Sequence, residues 1–225
     1  MEEKMSTTNA MPIPAPEAHV ETIAFAKFAG LCTILAGIIN FLYAVAFVIV
    51  ARSAPAVGGL LSALFLLLSG LLITTTVTAL YYRLRETDAA FALWALLLGL
   101  VGTLGAAIHG GYDLGNALNP PAVDAELTAA LASLPSQIDP RGLTTFGVMG
   151  LALLIMAWLM GRSEAFPRGL HYLGYLLAAL FIILYLARLI ILNPANPVLL
   201  APVLVAGFVV NPAWYIWLGL TLRRG

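Results

Sequence analysis

Long apolar runs separated by short polar breaks make up most of this chain. A helix needs about 20 mostly apolar residues, at ~1.5 Å of rise each, to cross the hydrocarbon core of a bilayer. Six runs meet that length: 22–50, 58–82, 89–118, 142–161, 170–192 and 198–222. The breaks carry turn chemistry. RSAPAV follows the first run, while Asn119-Pro120 and Asn193-Pro194 end the third and fifth, because the residue before a proline is pushed out of the helical region. The pattern predicts an all-α polytopic membrane protein, a six-transmembrane-helix bundle spanning 22–225.

Two polar stretches stand apart from the runs. Residues 1–21 (MEEKMSTTNAMPIPAPEAHVE) alternate Pro12, Pro14 and Pro16 with small residues and read as a flexible tail. They lack the basic segment running into a short apolar core that marks a signal peptide. The connection between the third and fourth spans, about 119–141, is the one long loop. Within it PPAVDAELTAALASLP has proline and acidic residues at its start, and Val123, Leu127, Leu131 and Leu134 at helical spacing. A short amphipathic helix lying at the outer interface is expected there.

Composition agrees with the pattern. Of 225 residues, 61% are hydrophobic and 10% charged, and the mean hydropathy is +0.97. A soluble domain carries about a quarter of its residues as charges. Eleven Lys and Arg balance eleven Asp and Glu without a basic block, which argues against nucleic acid as a partner. The single cysteine, Cys32, excludes an internal disulfide and a cysteine-rich metal site.

Where the cations fall orients the chain. With the N-terminus inside, Lys4, Lys27, Arg83, Arg85, Arg162, Arg168, Arg223 and Arg224 collect on the cytoplasmic face, against Arg52 and Arg141 outside. Both termini are therefore expected in the cytoplasm. Tyr81, Tyr82, Trp214, Tyr215 and Trp217 are expected at the cytoplasmic ends of their spans as interfacial anchors.

Candidate chemistry concentrates at the outer end of the third span, in HGGYDLGNALNPP. His109, Tyr112, Asp113 and Asn116 stand at i, i+3, i+4 and i+7 and share one helix face. Such a face turned to lipid is costly, so it should line a cavity or pair with another helix. Gly111 and Gly115 form a small-xxx-small pair that would let a neighbour approach. Arg188 in the fifth span is expected at the same depth, with Tyr185 one turn away, and an Arg188–Asp113 ion pair suits the low dielectric. Deeper in, Asn211-Pro212 falls near mid-span and should kink the sixth helix. Asn40 lies at a similar depth; each asparagine is expected to act as local glue, with a contact between them as the alternative. Thr74, Thr75, Thr76 and Thr78 should bond back to their own helix.

Enzyme signatures are incomplete. A retinal Schiff base needs a mid-span lysine, bis-histidine haem ligation needs two histidines at one depth, and zinc needs a further ligand beside His109 and Asp113. Intramembrane aspartyl and serine dyads lack their second member. No catalytic residue, metal or cofactor is assigned.

HGGYDLGNALNPP, IDPRGLTTFGVMGLALL and VVNPAWYIWLGLTLRR resemble segments of small six-span bacterial membrane proteins grouped in families of unknown function. The resemblance covers about two thirds of the chain and implies a prokaryotic cytoplasmic membrane. The resulting expectation is an outer polar pocket of His109, Tyr112, Asp113, Asn116, Tyr185 and Arg188 that binds a small ligand or lipid. A subunit docking on a partner protein or a second copy is the companion reading. A small transporter or channel is the alternative, and an enzyme using His109 with Asp113 the second alternative.

Overall fold

The computed structural model describes residues 17–119, 136–191 and 196–224, and every element within them is helical. Six helices are long and apolar enough to cross a membrane. Span one runs Glu17–Val45 and continues through π-helical Ala46–Val50 to Ala51–Ser53. It thus begins inside the segment read as tail. Span two is Pro55–Leu84 and span three Ala89–Leu118. Span four opens with π-helical Leu143–Val148 and continues as Met149–Arg162; span five is Arg168–Ile190. Span six joins Pro197–Val205, π-helical Ala206–Val210 and Asn211–Arg224. The loop helix expected within 120–135 lies outside the described residues.

The helix starts are written locally. Pro55 and Pro197 occupy first-turn positions, where a missing N–H costs nothing. Asp88 accepts from the Phe91 amide at 3.2 Å and Asn196 from the Val198 amide at 3.0 Å, each satisfying an orphan donor of a helix N-terminus. Span three stops at Leu118, with Asn119 before its proline held out of the helical region.

Each span packs antiparallel against its neighbours in sequence, and span six returns to span one, closing a ring. With an even number of crossings, the described chain ends share one face, here the terminal face; the opposite face is the distal one. Leu31, Leu97, Leu186 and Val209 are among the large side chains left exposed around the outside, as lipid contact requires.

Two interdigitated heptad rows on span one hold the ring shut. Gly30, Gly37 and Ala44 face span six, against Gly219, Pro212 and Gly207 respectively. A Cβ added to Gly219 would stand 2.6 Å from the Gly30 carbonyl oxygen and 2.7 Å from Ile34 Cγ1, so only glycine permits this approach. Thr33 and Asn40, offset from the glycines, reach span two. Thr33 Oγ1 lies 2.8 Å from Thr76 Oγ1 with both residues buried, and Asn40 Oδ1 accepts from Ser69 Oγ. Asn40 Nδ2 also donates to Asn211 Oδ1 at 2.9 Å. The asparagines therefore join three spans at mid-membrane instead of serving their own helices. Lipid supplies no competing partner, which makes these hydrogen bonds decide rotation and register.

Other expectations divide. Thr74, Thr75 and Thr78 do bond to carbonyls of their own helix, whereas Thr76 turns to Thr33. Trp214 and Tyr215 are not interfacial anchors: each is 1% exposed, and they meet edge to face at 4.9 Å inside the bundle. Small neighbours make the room, since Tyr215 Cβ lies over Gly37 and Trp214 Nε1 over Gly174. Trp217, 39% exposed, and Tyr82, 41% exposed, remain on the surface. Pro212 is accommodated by the π-helical stretch directly before it, which repositions the carbonyls its ring would strike.

The Gly219→Ala variant should lose about 1–3 kcal/mol of stability through overpacking. Gly115→Ala, where no described residue lies within 4 Å of the added carbon, should change nothing measurable. Thermal unfolding in detergent distinguishes them. A double-mutant cycle of Asn40→Leu and Asn211→Leu should return a coupling of about 0.6–1.7 kcal/mol, the range for interhelical hydrogen bonds in membranes.

Candidate functional site

Polar side chains gather at the distal end, where spans one, three, four and five converge. On span three, His109 Nε2 and Asp113 Oδ2 are 3.1 Å apart, one helical turn from each other. His109, Asp113 and Asn116 of this face are partly buried, whereas Tyr112 is exposed together with Val101, Leu104 and Ile108. Close packing on both flanks holds the helix there. Gly110 abuts the span-two backbone at Leu67, Gly102 meets Met149, and Gly105 meets Thr144. These glycines carry the close approaches, not the pair Gly111 and Gly115. Among the described residues Gly111 touches only Leu67 Cδ1 at 3.8 Å, and Gly115 meets none within 4 Å.

The segment entering span four completes one side. Ser136 is buried and donates from Oγ to Asp113 Oδ1 at 3.0 Å, while its own oxygen accepts from the Ile138 amide at 3.1 Å. Tyr112 donates to Gln137 Oε1 at 2.5 Å on the exposed flank. Asp113 is therefore held from both sides, by His109 and by Ser136. His109 thus meets the carboxylate through Nε2 at ion-pair distance. Its Nδ1 is buried and has no hydrogen-bond partner among the described residues.

A second acidic group, Asp139, organises the start of span four. Its carboxylate accepts from the Thr144 amide at 3.2 Å and hydroxyl at 2.7 Å, and from the Thr145 amide at 2.9 Å and hydroxyl at 2.8 Å. Asp139 adopts φ 54° and Gly142 φ 77°, a tight left-handed turn that aims the carboxylate back at the helix N-terminus. Burial alone would raise the Asp139 pKa. The amide and hydroxyl hydrogen bonds from Thr145 and Thr144 outweigh it and hold the carboxyl below the ordinary aspartate range.

Arg188 does not pair with Asp113. Among the described residues, His109–Asp113 is the one ion pair within 4 Å. Arg188 instead lies over the Phe146 ring, its Cζ 5.5 Å from the centroid, with Nη1 against Gly142. Its electrostatic neighbours are the Tyr43 hydroxyl, Asp139 and Arg141. The reason is the turn at Gly142: having no side chain, it leaves room for a guanidinium that the Asp139 carboxylate attracts. Tyr43 of span one stands within electrostatic reach of both Arg188 and Asp113.

The remaining expected residues take lesser places. Tyr185 packs its ring edge on Gly147 of span four, its Cδ1 2.9 Å from where a Cβ would be. Asn116 shares the His109 face and makes no hydrogen bond to another described residue. Asn40, Asn211 and Pro212 lie deeper, in the mid-membrane junction. Sequence reasoning missed Ser136, Asp139 with its two threonines, and Tyr43. The DPRGLTT string, an Asp followed by a glycine turn and two hydroxyl residues before an apolar run, carried the signal for Asp139. Ser136 and Tyr43 had none, since their roles depend on partners in other spans.

No protein-family model, curated protein or solved structure matches this chain.

Because the folded Asp139 pKa lies below its unfolded value, its contribution to stability is fully present above about pH 4. It is lost as the pH falls through the folded pKa. Unfolding midpoints followed from pH 6 to pH 2 should fall along this acid limb, and Asp139→Asn should be less stable at pH 6 with a flattened limb.

Proposed function

We propose that this is a multi-pass protein of a prokaryotic cytoplasmic membrane, with both termini in the cytoplasm, whose outer-half polar cluster binds a small ligand or a lipid headgroup. The location rests on the eight cations at the terminal face against two at the distal face, and on the resemblance to six-span bacterial membrane proteins. One observation supports binding above the rest. His109 stands with Nε2 3.1 Å from Asp113 Oδ2 and with Nδ1 buried and unpartnered among the described residues. A buried polar nitrogen without a partner is unfavourable unless something bonds to it. Arg188, at the same end and without a carboxylate of the described residues within 4 Å, offers a cation for an anionic or polar group on the same ligand. A docking partner in the membrane would use the same groups.

A transport function is the second reading, and one feature favours it. Tyr43 follows Asn40 by one turn on span one, Asn40 meets Ser69 and Asn211 at mid-membrane, and Thr33 meets Thr76 closer to the terminal face. Polar groups thus continue along spans one and two across most of the bilayer. The π-helical segments of spans one and six flank this line, and such segments recur at functional sites.

Protein extracted in native lipid should retain a bound molecule by native mass spectrometry. His109→Leu and Arg188→Gln should each lower its occupancy about tenfold or more, the loss of one hydrogen bond to a charged group. Equal occupancy in all three proteins would refute the binding reading. Under the transport reading Asn40→Leu abolishes flux in proteoliposomes while leaving occupancy at the outer cluster intact.

A further inference from the structure

Away from the outer cluster, the terminal face carries two adjoining cavities whose linings differ sharply. One, of about 270 Å³, is an apolar groove on the lipid side, lined by Phe91, Leu154, Ile155, Trp158 and Tyr175. Phe91 and Trp158 meet edge to face at 5.0 Å and form its terminal-side wall. The other, of about 490 Å³, lies between the loop after span two and the loop after span four, and its lining includes Arg83, Glu86, Arg162 and Glu164. Trp158 joins the two. It lines the groove, and the Arg162 guanidinium that lines the polar cavity lies over its indole, 4.6 Å from Cζ to the ring centroid.

The order of these groups along the membrane normal is set by the chain. The apolar groove lies within the spans. Arg83 stands in the last turn of span two and Arg162 is the last residue of span four, so both guanidinium groups sit at the hydrocarbon boundary. Glu86 and Glu164 follow in the loops, one step further from the hydrocarbon. Apolar, then cationic, then anionic is the complement of an acyl chain, a phosphate and an ammonium group.

The four charges are also not consumed by one another. No Arg–carboxylate pair among the described residues comes within 4 Å in this cavity. Arg83 gives one N–H to the Leu222 carbonyl at 3.1 Å, which leaves others of its five donors. Arg162 stacks on Trp158 and lines the same cavity. Opposite charges sharing one cavity without pairing, next to a groove that hydrocarbon must fill, form a site for a ligand that carries both signs.

We propose that this face binds a phospholipid whose headgroup bears a phosphate and a primary ammonium. One acyl chain lies in the groove under Phe91 and Trp158, Arg162 and Arg83 hold the phosphate, and Glu86 and Glu164 accept hydrogen bonds from the ammonium. The site is independent of the outer cluster. An anionic lipid without the amine would leave the two glutamates facing a negative headgroup, and a quaternary amine could not donate to them.

The test uses the full chain in nanodiscs containing equal amounts of phosphatidylethanolamine, phosphatidylglycerol and phosphatidylcholine, with retained lipid identified by native mass spectrometry. Phosphatidylethanolamine should be retained about tenfold over each of the others. Arg162→Gln should lower retention of phosphatidylethanolamine by a similar factor. Glu164→Gln should erase its preference over phosphatidylglycerol while lipid is still retained, and His109→Leu should leave the preference unchanged. Unfolding midpoints equal to wild type establish that the loop variants fold. Equal retention of the three lipids, a preference for phosphatidylglycerol, or a preference indifferent to Arg162→Gln and Glu164→Gln would each overturn the proposal.

Discussion

Asn40 is the residue on which the bundle turns. A carboxamide in the middle of a bilayer has no water to fall back on, so its donor and acceptor must both be met by protein. Here Asn211 takes the donor and Ser69 supplies the acceptor's partner, and three spans are tied at one depth. That single requirement sets the rotation of span one. Once Asn40 points inward, the heptad spacing brings Thr33 to Thr76 on the same seam, and Gly30, Gly37 and Ala44 fall against span six. The small residues then allow the helices to approach closely, which supplies the dispersion energy that a lipid-solvated bundle lacks from the hydrophobic effect.

The two halves of the bundle follow different rules on either side of this junction. Toward the terminal face the interior is filled by Trp214, Tyr215, Leu80, Leu84, Met156, Met160 and Leu218, all fully buried, and the structure there is a packed core. Toward the distal face the helices depart from regular α geometry, with π-helical turns in spans one, four and six, and polar groups replace the large apolar ones. His109, Asp113 and Ser136 form one network, and Asp139 with Thr144 and Thr145 forms another. Arg188 lies at the same end, its guanidinium over the Phe146 ring. A packed half thus supports an irregular, polar half.

Charge placement gives the terminal face a separate character. Arg83 and Arg162 lie there together with Glu86 and Glu164 in one cavity beside an apolar groove.

The amino-acid sequence determined the spans, since length and hydropathy are local properties and each helix satisfies its own backbone. It also determined that His109, Tyr112, Asp113 and Asn116 share a face, because 3.6 residues per turn is fixed by the backbone. Partner choice was another matter. Which of Gly102, Gly105, Gly110, Gly111 and Gly115 would meet a neighbour depended on how span three is rotated against spans two and four. Trp214 and Tyr215 read as anchors until Gly37 and Gly174 made room for them inside. Arg188 and Asp113 lie at one end without pairing, and the guanidinium found the turn at Gly142. Hydrophobic length is written along the chain, whereas the pairing of polar groups is a property of the closed ring. Only the tertiary structure could decide it, because each such group had several partners of equal chemistry and geometry chose among them.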